Sequence, residues 1–157
     1  MSSYLRPFLQ GLLLAVAVVL AALAPAGASG TVTASQAWIR LPPAAAGVAA
    51  GYVQLHNGGR ADRLLSARAT GFGQVQIHAM RMDGEVMRMH ALPDGLALPA
   101  GQVTALQPGG LHLMLIAPQR PLRAGQQVPV TLQFVVAGAQ TVVFVVAEGN
   151  DGHGAGR

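Results

Sequence analysis

The side chains here with chemistry to offer are histidines and methionines. His78, Met80, Met82, Met87, Met89, His112 and Met114 fall within one short stretch, and the sixth methionine is the initiator Met1. Thioether sulfur and neutral imidazole nitrogen are soft to borderline donors that bring no charge to a metal. With no thiolate and no obvious carboxylate among them, the set suits Cu(I). Structural zinc recruits Cys or more His, and calcium and magnesium require oxygen.

Two local elements must position these groups. Asp83-Gly84 has the sequence of a two-residue hairpin loop between two short apolar runs. That loop would pair Met82 with Glu85, Met80 with Met87 and His78 with Met89. Side chains two apart share a face, so His78, Met80, Met82, Glu85, Met87 and Met89 are expected on one side. Ile77, Ala79, Arg81, Val86, Arg88 and His90 are expected on the other. Downstream, the run around His112 is a strand that turns Leu111, Leu113 and Leu115 to the core and leaves His112 and Met114 on the opposite face. Met80, Met82 and Met87 read as adaptable apolar filling, a collar around a site, with Met80 and Met87 as the substitutes should a ligand be lost. His90 faces away and reads as surface, His56 as structural, and His153 as a weak Cu(II) contact in the tail.

The spacing resembles that of the periplasmic copper chaperones of the PCuAC family, whose pattern is a His, ten residues, a Met, about 21 residues and then His-x-Met. Ten residues separate His78 from Met89, and after 22 more His112-Leu113-Met114 closes the pattern. The extra residue is assigned to the loop over residues 90–95. AWIRLPP at residues 37–43, a strand with Tyr52, the Asp62-Arg63-Leu64 step and PGGLHLML at residues 108–115 extend the likeness over nearly the whole mature chain. The resemblance implies four ligands, His78, Met89, His112 and Met114, holding one Cu(I) per chain near the end of an all-β, cupredoxin-like Greek-key sandwich. It also implies delivery toward the dinuclear copper site of cytochrome c oxidase. The partner would be the copper-receiving oxidase subunit or a thioredoxin-like copper chaperone.

The rest of the chain fits an exported carrier. Residues 1–28 have the form of a secretory signal peptide: Arg6, an apolar run, then Ala26-Gly27-Ala28 as a small-residue cleavage site. A β-sandwich domain is expected over 29–148 and a Gly-rich flexible tail over 149–157. With no cysteine in its 157 residues, the chain has no disulfide, and its destination is read as the periplasm. No membrane span is expected after signal cleavage, and a monomer is expected. All ten basic residues are Arg, dispersed and without interleaved aromatics, which argues against nucleic acid. There is no cysteine nucleophile, no Gly-x-Ser-x-Gly and no phosphate-binding glycine loop, so an enzyme is not expected. A blue-copper electron carrier would need a Cys thiolate. Two alternatives differ in class: copper sequestration for resistance, and an exported interaction module whose His and Met residues have no metal role.

Short apolar runs at 31–40, 50–56, 64–69, 74–82, 85–91, 102–106, 111–117, 128–137 and 141–147 alternate with Gly, Pro and Asn breakers. That rhythm, with no long helical period, predicts an antiparallel sandwich or barrel.

Overall fold

The computed structural model describes residues 31–149. The expected leader over 1–28 lies outside them, as does the expected tail beyond Gly149. Ten strands follow one another: β1 (Val32–Arg40), β2 (Val48–Asn57), β3 (Asp62–Ala69), β4 (Phe72–Asp83), β5 (Val86–Ala91), β6 (Leu96–Leu98), β7 (Val103–Leu106), β8 (His112–Pro118), β9 (Gln127–Phe134) and β10 (Ala139–Ala147). Each expected run overlaps one of them, and every strand but one overlaps a run. The exception is β6, whose three residues between Gly95 and Pro99 are too few to show an alternating pattern.

The alternation that the runs promised is what packs the core. Along β9, Val128, Val130, Leu132 and Phe134 are buried while Gln127 and Pro129 are exposed. Leu113 and Leu115 of β8 are fully buried with Ile39, Leu55 and Phe144. Each such leucine is worth about 2–5 kcal/mol against truncation to alanine. Strand neighbours run β5-β4-β8-β2-β1-β10-β9-β3-β6, with β7 beside β2. β3 also meets β4, where Ala67 stands opposite Val75, so seven strands form a closed ring. β1 and β10 are parallel, with Trp38 opposite Val145. The all-β, cupredoxin-like fold is thus borne out, as a single crossed-over sheet closed into a barrel-like form.

Two buried polar side chains pin the loops at one end. Asn57 donates to the carbonyls of Arg60 and Leu98 and accepts from the Gly59 amide. Asp62 accepts from the amides of Arg63, Val136 and Ala137. Burial alone would raise the Asp62 pKa, but the backbone amides directed at the carboxylate outweigh it and hold the group below its ordinary value. Gly95 is required where it stands. Its φ is +81°, and a Cβ there would overlap the Leu64 carbonyl oxygen of β3.

At the other end β4 outruns its neighbour. Its pairing with β8 ends at His78 opposite His112, and from Met80 to Asp83 its register is with β5 alone. All residues 81–90 are exposed. The chain therefore carries a two-stranded ribbon beyond the barrel wall. A free-standing hairpin is marginal in water, and here it is rooted in the longer β4–β8 ladder.

Candidate metal centre

The hairpin register differs from the expectation. His78 lies opposite Ala91, Met80 opposite Met89 and Met82 opposite Met87. The two-residue loop is Gly84-Glu85 rather than Asp83-Gly84, because Gly84 takes φ +65° at the first loop position while Glu85 keeps an ordinary φ. That is the glycine placement of a type II′ turn, whose twist matches the strands it joins. The Asp83 carboxylate also reaches Arg88 Nε at 3.2 Å from its place in the closing pair. The displacement preserves side-chain parity, so the faces are as expected apart from Glu85, which leaves the methionine side for the loop. Ala91 takes up the position opposite His78. His90 faces away from the methionines, opposite Ala79.

His112 is set by the turn that precedes it. Gln107-Pro108-Gly109-Gly110 closes with a bond from the Gly110 amide to the Gln107 carbonyl at 3.0 Å, and Gly109 has φ +79°. Proline at the second position and a positive-φ glycine at the third define a type II turn. The Gly110 carbonyl then accepts twice: from the Met80 amide at 3.2 Å and from His112 Nδ1 at 3.2 Å. One carbonyl thus ties the ribbon to the barrel and fixes the tautomer of His112. With the proton on Nδ1, the neutral ring presents its lone pair at Nε2. The neighbour of that nitrogen is Met89 Sδ, at 3.1 Å. Neither atom carries a proton to share, so two lone pairs face each other, an arrangement that an intervening cation relieves.

His78 is oriented in the same manner. Its Nε2 donates to Gln76 Oε1 at 2.8 Å, which leaves the lone pair on Nδ1. That Nδ1 is buried and has no hydrogen-bond partner. A buried acceptor without a partner costs about 1–3 kcal/mol. Burial, and after it the charge that His112 would carry, lower the pKa of His78 below its ordinary 6.5, so the ring is neutral near pH 7. The two imidazoles tilt against each other with centroids 5.6 Å apart.

The four expected residues share one face but not one level. His78 and His112 form a rung where the ribbon leaves the barrel, and Met89 reaches His112 from the ribbon side. Met114 sits on the barrel side, opposite Gln76 and half-buried. The pair of histidines is therefore flanked by a thioether on either side along the sheet. Among the described residues no three His, Cys, Asp or Glu side chains converge to hold an ion, so metal binding at this face depends on the thioethers. Two contributors were not singled out from sequence: Gln76, two residues before His78 and hence on its face, and the Gly110 carbonyl, a backbone group that side-chain spacing does not reveal.

A barrel-like β-domain with an imidazole pair and a thioether ribbon at one end is the class that fold and site define. Residues 32–146 match the profile of the LpqE-like family, and the chain belongs to it. Over 104 residues it is 32% identical to Lxx21020 of Leifsonia xyli subsp. xyli, which bears a lipoprotein name; the match covers 66% of this chain and 61% of that relative. The copper-bound PCuAC domain from PmoF2 is 26% identical, with a TM-score of 0.64 over 78% of this chain and 97% of that one. The Cu(I) form of DR1885 from Deinococcus radiodurans is also 26% identical, with a TM-score of 0.57 over 78% of this chain and 83% of that one. The resemblance to PCuAC domains drawn from the sequence is borne out. Although the relative bears a lipoprotein name, this chain contains no cysteine.

Proposed function

We propose that the protein is a periplasmic Cu(I) metallochaperone whose cargo is held by His78 Nδ1, His112 Nε2, Met89 Sδ and Met114 Sδ, one ion per chain. The observation that carries this reading is the pair of imidazole lone pairs. Hydrogen bonding at the opposite nitrogen of each ring sets both, one is buried without a partner and the other abuts a thioether. Outer hydrogen bonds of this kind fix the tautomer and orientation of metal-bound histidine. Similarity to the copper-bound PmoF2 domain and to Cu(I)-DR1885 supports copper as the ion.

The mechanism is capture and release without turnover. Neutral donors stabilise Cu(I) and leave its charge unneutralised, so an acceptor offering thiolate or further imidazole draws the ion away. The resemblance to PCuAC supports delivery toward the dinuclear copper site of cytochrome c oxidase, directly to the receiving subunit or through a thioredoxin-like copper chaperone. Export with cleavage after Ala28 and a monomeric state belong to the same proposal.

Two measurements test it. Anaerobic titration against a Cu(I) chelator should give one tight equivalent per chain. A deletion strain should lose oxidase activity and regain it with added copper. Copper sensitivity with normal oxidase would instead make the protein a sequestering one.

A further inference from the structure

The ribbon continues the metal face outward. Beyond the His78–His112 rung come Met80 opposite Met89, then Met82 opposite Met87, all on the same side of the sheet. Solvent exposure rises in step, from 7% at His112 to 46% at Met89, 51% at Met87 and 59% at Met82. Directly opposed side chains start about 4.5–5.5 Å apart at Cβ, close enough for two thioethers to hold one ion. Successive rungs on one face are about 6.6–6.8 Å apart, a step that methionine, with its three rotatable side-chain bonds, can bridge. No charged side chain stands on this face of the ribbon, since Arg81, Asp83, Arg88 and His90 all lie on the reverse. Bulky apolar side chains at an exposed tip contribute nothing to the core, so packing does not account for methionine there.

We propose that Met82 and Met87, with Met80 behind them, form an outer Cu(I) station through which the ion passes between the buried histidine rung and an acceptor. This rests on the chaperone reading of the inner site and deepens it. The copper stays Cu(I) throughout. As the ion moves outward, its bonds to the His78 and His112 nitrogens and to the inner thioethers break in turn while bonds to the ribbon thioethers form, and no electron moves. The outer station, with sulfur alone, binds more weakly than the inner one, so the ion resides inside and is offered outside. A step that lies on the path changes capture and release by the same factor and leaves the inner affinity untouched.

The test compares the full mature chain with a Met82→Leu/Met87→Leu variant, which keeps the apolar volume and removes the sulfur. In anaerobic titration with aqueous Cu(I) and a competing chelator, the wild type should bind a second, weaker equivalent that the variant lacks, while the first equivalent keeps its affinity in both. In stopped-flow exchange with the chelator, the variant should take up and release copper about tenfold more slowly, equivalent to about 1.4 kcal/mol in the barrier. If the variant retains the second equivalent, or exchanges as fast as the wild type, the outer station is overturned while one tight equivalent leaves the chaperone reading standing. A wild-type chain that takes no tight Cu(I) overturns both.

Discussion

The barrel end and the ribbon offer copper the same number of charges, none, and in every other respect they differ. His78 and His112 are sheltered, each is held by a hydrogen bond to its far nitrogen, and one is biased against protonation. Met82 and Met87, farther out on the ribbon, stand in solvent and face each other across it. Nitrogen and sulfur need different treatment from a protein. An imidazole binds metal only through the correct nitrogen and only when neutral, so it must be pre-oriented and kept unprotonated. A thioether has no proton, no tautomer and a flexible stem, so it can be left at an exposed tip.

If that division is right, removing an imidazole does the most damage. His112→Ala should weaken Cu(I) binding by more than about 100-fold, beyond the loss expected of an outer-shell change; chelator competition measures it. An equal loss from Met89→Ala would erase the distinction, because Met80 stands opposite and can move toward the ion.

Next comes the group that orients without binding. Gln76→Leu leaves His78 Nε2 without its acceptor, and affinity should fall about 10- to 100-fold at unchanged stoichiometry.

Acidification sharpens the comparison further. Cu(I) affinity should fall from pH 7 to 5, by up to about tenfold per pH unit for each imidazole once the solution is below its pKa. His78 should join that fall late, since burial and the neighbouring His112 lower its pKa below 6.5. His112→Met should flatten the profile, whereas Met114→Ala should lower it without changing its slope. In the metal-free protein the sign follows from the same depression. The unfolded chain takes the proton first, so the stability contribution is complete above about 6.5 and is lost as the pH falls, which thermal melting across that range would register.

The smallest effect belongs to the reverse face. His90→Ala should change Cu(I) affinity by less than about twofold, within the scatter of an exposed substitution. A loss equal to that of His78→Ala would mean that the ribbon presents its other side.

Much of this was legible because parity is a robust signal. A strand period of two put His78 with Met89 on one face of the hairpin, His112 with Met114 on one face of their strand and Leu113 and Leu115 in the core, and a register displacement that kept parity left those assignments intact. The register itself was not legible. Asp83-Gly84 and Gly84-Glu85 are both acceptable two-residue loops, and the choice depends on the twist of the finished ribbon and on the Asp83–Arg88 contact. β6 was missed because three residues carry no period. Asp62 read only as part of a family segment, since its acceptor role depends on amides of Val136 and Ala137 far along the chain. Gln76 was overlooked for a simpler reason: an amide is not a ligand, and its value appears only once the ring of His78 has an orientation.

The closure of the sheet has a consequence for its motion. β4 is bonded to β8 along a ladder from Phe72 to His78, whereas its register with β3 consists of Ala67 opposite Val75. A wall fastened so sparingly on one side is where breathing begins, and such openings are separate from global unfolding. Amide protons along the β3 side of that seam should exchange with deuterium long before those shared by β4 and β8. The histidine rung lies on the well-fastened edge, so the barrel can open and reclose at its seam while the two imidazoles keep their places.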